Sequence, residues 1–176
     1  MVNFNHWTAN KEPKVKVLTY NIWFEQVVHE RLDAVLSIIE QADADFICLQ
    51  EMTKNIYEYF VKSPYIATIL REGGSISRNE IGSYGTMIIS KFPCHYFECD
   101  FRSRMGRKLI LAEPCLPFHL IVASSHFESL NSTEVRREQL KTTFDVLKAA
   151  QGAEFPGHSV LVGDFNFDVL KQPLRE

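Results

Sequence analysis

Glycine and proline are sparse, 8 and 7 in 176 residues, and no residue type forms a tract. Collagen-like, low-complexity and disordered classes are excluded, because 45% hydrophobic and 12% aromatic residues are enough to fill a core. No apolar run approaches the roughly 20 residues of a membrane span. Met1 to Pro13 (MVNFNHWTANKEP) has neither the basic start nor the apolar core of a leader peptide, so a soluble, unsecreted chain is expected. Neither sign of charge dominates: 19 Lys and Arg face 22 Asp and Glu, for a net charge of −3. That balance argues against a protein that coats nucleic acid, but it leaves room for a local basic groove. The four cysteines, Cys48, Cys94, Cys99 and Cys115, form no CxxC pair and lie in or beside apolar runs. Buried thiols in a reducing compartment are expected, rather than disulfides or a zinc site.

The length suits about one domain of typical size. There is no repeat and no linker, so residues 1–13 are expected as a tail and 14–176 as one domain. Val15 to Thr19 alternates at period two, and Leu32, Val35, Leu36 and Ile39 then recur at helical spacing, giving a strand and an amphipathic helix. Phe46 to Leu49 is a continuous apolar run that fits a buried strand, and Ile56 to Val61 a short helix. Arg71 to Ser83 is polar and glycine-bearing, hence a loop. Strands are predicted over Thr86 to Ser90, Cys94 to Cys99, Leu109 to Ala112 and His119 to Ala123, antiparallel in character. Asn131 to Thr133 offer helix caps, and Leu140, Phe144 and Leu147 line one face of a helix ending near Ala150, before a last strand from His158 to Val162. The class is mixed α/β, with sheets packed face to face under flanking helices.

Polar clusters stand at the carboxyl ends of four strands, where α/β sheets gather ligand-binding groups: Thr19-Tyr20-Asn21, Leu49-Gln50-Glu51, Ser124-Ser125-His126 and Gly163-Asp164-Phe165-Asn166. Each alone reads more readily as a turn, a helix-start charge or a hydrogen-bonded histidine than as a catalytic group. Together and in this order they resemble the endonuclease/exonuclease/phosphatase superfamily. Ser125-His126-Phe127-Glu128-Ser129, followed by Arg136-Arg137-Glu138-Gln139-Leu140, resembles its tyrosyl-DNA phosphodiesterase 2 branch. The likeness spans about Lys14 to Asp168. It implies a DNase-I-like four-layer α/β sandwich, two packed mixed sheets flanked by helices.

The resemblance also implies roles. Glu51 would be the principal Mg²⁺ ligand, with Mn²⁺ as an alternative ion, since a hard cation suits carboxylate oxygen. Asp164 would orient or deprotonate the attacking water, with Asn166 and Asn21 positioning water and phosphate. His126 and Ser129 would bind phosphate oxygens, and Arg136 with Gln139 would support that wall. The implied reaction is hydrolysis of a 5′-phosphotyrosyl-DNA bond that leaves a 5′-phosphate, with a single-stranded DNA end or DNA–protein adduct as partner, no membrane, and a nuclear or cytoplasmic setting. A phenol leaving group, with a pKa of about 10, needs little general-acid help. Phe101 to Lys108 concentrates Arg102, Arg104, Arg107 and Lys108 in one loop, read evenly as a hairpin tip or as a clamp on DNA phosphates through Arg104 and Arg107. Trp23, Phe24 and Tyr84 read either as base-stacking platforms or as core or rim packing.

Two departures stand against the family pattern. Trp23 occupies the place, two residues after Asn21, where many members carry an acid, and there is no Asp-His dipeptide to supply the family's late Ser-Asp-His motif. The expectation is a domain incomplete at its C-terminal end, with sheet edges left open. Two other readings stay open: another phosphodiesterase of the superfamily (nuclease, deadenylase, lipid or sugar phosphodiesterase), or a truncated, catalytically silent binding module.

Overall fold

The alternating run near the start of the chain becomes strand β1 (Val17–Asn21), two residues later than its sequence pattern, because Val15 packs at the edge of the core instead of pairing. The structure, a computed structural model, describes residues 14–26, 28–77, 84–151 and 157–167. The expected tail 1–13, the far part of the polar loop at 78–83, and Asp168 to Glu176 lie outside the described residues. After β1 come α1 (His29–Ala42), β2 (Phe46–Met52), α2 (Lys54–Phe60), α3 (Pro64–Arg71), β3 (Ser75–Ile76), β4 (Gly85–Ser90), β5 (Cys94–Asp100), β6 (Lys108–Pro114), β7 (Leu120–His126), α4 (Thr133–Gln151) and β8 (His158–Asp164).

The strands form two four-stranded sheets, β1-β2-β4-β3 and β5-β6-β7-β8. In the first, β1 runs parallel to β2 and β4 antiparallel to both its neighbours; in the second, β8 runs parallel to β7 and β6 antiparallel to both of its own. The short apolar runs are continuous because both of their faces are covered. In β2, Ile47 and Leu49 face α1, α2 and α3, whereas Phe46 and Cys48 face the second sheet, against Ile110, Ala112 and Val122. In β6, Leu109 and Leu111 turn instead to α4, beside Leu147. The layers are therefore helix, sheet, sheet, helix, as the family resemblance implies. β1 and β8 lie at the sheet edges on the same side and are only partly buried.

Three local expectations are corrected. Arg71 belongs to α3, and Ser75 and Ile76 pair with β4, so the polar loop is shorter than its composition suggests. The signals for α3 were present: the Ser63 hydroxyl accepts from Ile66 N at 3.1 Å, and Pro64 opens the first turn. Ser63→Ala is accordingly expected to cost about 1 kcal/mol, read as a lower denaturant midpoint at unchanged slope. The buried residues of α4 are Val135, Arg136, Gln139, Thr143 and Leu147, while Phe144 is half exposed. The apolar stripe misleads because the first half of α4 buries polar side chains that hold neighbouring loops. Finally, all four cysteines are free and Cys48 is buried, but Cys115 is exposed, having passed the end of β6.

Candidate active site

Parallel pairing brings Asn21 of β1 opposite Gln50 of β2, and His126 of β7 opposite Asp164 of β8. Because the two sheets stack, these four strand ends meet. The Asn21 amide is the bridge: Nδ2 donates to Asp164 Oδ2 at 2.8 Å and to Glu51 Oε1 at 3.1 Å, while Oδ1 accepts from Trp23 N at 2.9 Å. Underneath, Gln50 Nε2 donates to Thr19 Oγ1, Cys48 O and Ser124 Oγ, tying the first sheet to the second. Sequence reasoning quoted Gln50 but gave it no role.

Glu51 reaches the site through a break in regular pairing. The β2–β4 register shifts between Leu49 and Met52, and Glu51 takes φ 60°. A bulge re-aims a side chain, and a left-handed non-glycine residue stores strain of about 1–2 kcal/mol. Phe24 N donates to Glu51 Oε2 at 3.2 Å and holds the carboxylate in place. Asn166 is also left-handed, at φ 51°. Its N–H donates to Asp164 Oδ1 at 3.0 Å and its Nδ2 to Phe127 O at 3.0 Å, which leaves the side-chain Oδ1 without a partner among the described residues.

His126 is buried between the carboxylates, with Nε2 3.6 Å from Asp164 Oδ2 and Nδ1 4.0 Å from Glu51 Oε1. Both distances exceed a hydrogen bond. Burial and the Arg107 guanidinium hold its pKa below the ordinary imidazole range, against the upward pull of Asp164 and Glu51. Near neutral pH the ring is uncharged, so these contacts are not ion pairs. Arg107 Nη1 lies 2.8 Å from His126 Nδ1. Arginine can only donate, so Nδ1 is the acceptor and the ring proton sits on Nε2. The same guanidinium stacks 4.8 Å from the centroid of the Tyr84 ring, and Tyr84 stacks on Phe24 at 4.9 Å. Phe24 and Tyr84 therefore pack on each other at the rim, while Trp23 stays half exposed.

The expected phosphate binders divide. Ser129 Oγ donates to Met105 Sδ at 3.2 Å. Arg136 is buried, with Nη1 donating to Glu128 O and Leu130 O and Nη2 to Thr133 Oγ1. It braces the chain after His126, and its guanidinium lies 5.8 Å from the centroid of the Phe167 ring at the cleft. Within the basic loop, Arg102 pairs with Glu138 and Lys108 with Glu98, so their charge is spent on surface carboxylates. Arg107 faces His126. Among the described residues, Arg104 alone of the four has no side-chain partner, and it is exposed. Of the two cations expected to clamp DNA phosphates, Arg104 is the one left unpaired among the described residues, since Arg107 faces His126. Glu128, quoted in sequence but given no role, is fully buried beside this loop.

Glu51 and Asp164 are two carboxylates beside one amide and a neutral imidazole, with no lysine or arginine on either of them among the described residues. Such oxygen donors fit a hard divalent cation. Among the described residues no set of three or more His, Cys, Asp or Glu side chains is arranged to hold a metal. A hard cation that takes few protein oxygens and keeps several waters suits that sparse set. A cleft of about 360 Å³ opens beside these groups between the ends of β1 and β8, lined among others by Thr19, Tyr20, Asn166 and Phe167.

A model of the Endonuclease/Exonuclease/phosphatase family matches residues 18–175. Among solved structures, TDP2 from C. elegans superposes with a TM-score of 0.72 at 22% identity, over 89% of this chain and 49% of that one. D. rerio TDP2 complexed with single-strand DNA product gives 0.73 at 19% identity, over 88% of this chain and 62% of that one. The human Nocturnin catalytic domain with bound sulfate gives 0.66 at 17% identity, over 88% and 65%. The chain thus spans about half to two thirds of the length of these structures, and at these identities the likeness is one of fold. No curated relative matches the chain in sequence.

Proposed function

This chain belongs to the Endonuclease/Exonuclease/phosphatase family, and from that premise we propose that it is a Mg²⁺-dependent phosphodiesterase acting on 5′-phosphotyrosyl bonds at single-stranded DNA ends. The observation that carries the reading is the meeting of Asn21, Glu51, His126 and Asp164 at four strand ends, with the Asn21 amide joining both carboxylates. The Asp164 carboxylate takes the proton of the attacking water. Asn21 and Asn166 fix where that water and the phosphate stand, and the His126 Nε2–H donates to a phosphoryl oxygen as charge develops. A divalent cation on Glu51 would neutralise phosphoryl charge. Arg104 is the free cation for a flanking phosphate, and the Phe24–Tyr84–Arg107 stack forms an aromatic and cationic wall beside His126, suited to a phenolic leaving group. The choice of substrate is further supported by the fold shared with TDP2, one structure of which holds a single-strand DNA product.

The test is a 5′-tyrosyl single-stranded oligonucleotide incubated with the 176-residue chain in Mg²⁺, in Mn²⁺ and in chelator. Release of tyrosine and a 5′-phosphorylated oligonucleotide, lost in chelator, is expected. Cleavage of internal bonds in an unmodified oligonucleotide would replace the reading with a nuclease. Metal-independent binding without turnover would make the chain a silent binding module.

A further inference from the structure

Glu128 has no exposed surface, stands two residues past His126, and no cationic side chain pairs with its carboxylate among the described residues, Arg136 meeting only its backbone carbonyl. A charge in that position is costly unless hydrogen bonds replace its water. They come from the loop between β5 and β6. Ser103 Oγ donates to Glu128 Oε2 at 2.7 Å, and Arg104 N donates to Oε1 at 2.9 Å. Ser103 Oγ in turn accepts from Met105 N at 3.1 Å and from Arg107 N at 2.9 Å. Gln139 closes the bracket: its Oε1 accepts from Glu128 N at 2.9 Å, and its Nε2 donates to Arg102 O at 3.0 Å. One carboxylate therefore sets the path of residues 102–107, and that path ends on Arg107.

The position of Arg107 decides where the proton of His126 lies. A carboxylate stands near each ring nitrogen, Asp164 by Nε2 and Glu51 by Nδ1, so the carboxylates alone favour neither tautomer strongly. The Arg107 donor at 2.8 Å breaks the tie by occupying the Nδ1 lone pair. We propose that Glu128 is a positioning residue: through Ser103 it locks the β5–β6 loop so that Arg107 holds His126 with its proton on Nε2, aimed at the phosphoryl oxygen. The claim rests on the role given to His126 above and adds to it the device that keeps the ring a donor on the side of Asp164.

The test reads the tautomer directly, by ¹⁵N–¹H correlation of the histidine rings in the labelled 176-residue chain. Wild type is expected to show His126 with a protonated Nε2 and a bare Nδ1. Arg107→Met, Ser103→Ala and the isosteric Glu128→Gln should each give a mixed or reversed pattern while the backbone amide spectrum stays folded. In Glu128→Gln one acceptor becomes a donor, and it meets either Arg104 N–H or a Ser103 hydroxyl already accepting twice. Should Glu128→Gln fail to fold, Ser103→Ala carries the test alone, since Ser103 is only partly buried. A wild-type ring protonated on Nδ1, or an unchanged tautomer in folded Ser103→Ala, overturns the proposal. A nitrophenyl ester of a nucleoside 5′-phosphate supplies the kinetic readout, in which kcat falls on the order of tenfold to a hundredfold in Ser103→Ala with KM nearly unchanged. Failure of wild type to turn over any phosphodiester would sink the hydrolase reading, yet leave the tautomer result standing.

Discussion

Glu51→Gln is expected to lower kcat on a 5′-tyrosyl oligonucleotide by on the order of a thousandfold or more, with the fold intact. The side chain keeps its size and one oxygen for Phe24 N, so what is lost is the charge together with the acceptor for Asn21 Nδ2. What disappears is the anionic oxygen that faces Asn21 and, in the proposed reaction, holds the divalent cation. Glu51→Gly separates function from stability more sharply. The residue stands at φ 60°, a conformation that costs a side chain about 1–2 kcal/mol and glycine almost nothing. Glu51→Gly should therefore melt close to wild type, the relieved backbone strain offsetting the hydrogen bonds lost by Asn21 Nδ2 and Phe24 N, while turnover disappears. Tm by calorimetry and turnover by tyrosine release check the pair. Substantial activity in either variant would show that the charge at position 51 is not what the site depends on.

The four motifs were legible because each closes a strand, and strands of this length and hydrophobicity announce themselves: FICL, LILA and HLIVA are continuous where both faces are covered. The meeting of those strand ends was legible only through the family resemblance, since nothing local in Asn21 says that Asp164 lies 2.8 Å away. Less legible were interactions whose partners are backbone atoms. Arg136 read as support for the phosphate-binding wall, and the partners of its donors, the carbonyls of Glu128 and Leu130, are recorded by no side-chain pattern. Charge in the basic loop misled similarly, because the acids that neutralise Arg102 and Lys108 lie on α4 and β5. Helix α4 shows the same limit in periodicity. Its stripe Leu140, Phe144, Leu147 is apolar, but the buried face includes Arg136, Gln139 and Thr143, because the ends of loops must be held as well as the core filled.

Gly163→Ala should be the most damaging single-methyl change among the described residues at this site, costing about 4 kcal/mol or more or preventing folding. Gly163 pairs with Ser125 in the parallel β7–β8 ladder at φ 143°, and a Cβ there would stand 1.9 Å from Ser125 O. The obstruction is a backbone carbonyl within a paired strand, so no rotamer change relieves it. Gly106 supplies the control. It too has a positive φ, 68°, but a Cβ on it would meet nothing within 4 Å, so Gly106→Ala should cost only the conformational strain of about 1–2 kcal/mol. The difference between the two, measured by urea unfolding, isolates the close approach of β8 to β7. That approach is what sets Asp164 opposite His126, with Nε2 and Oδ2 3.6 Å apart. If Gly163→Ala folds at all, β8 must have moved out along the ladder, and Asp164 with it. Turnover should then be lost even in the fraction that remains folded, whereas Gly106→Ala, beside Arg107 but unobstructed, should lose stability far more than activity. Equal, small costs at both glycines would mean that β8 packs more loosely than its register requires, and that the distance between His126 and Asp164 is not set by this ladder.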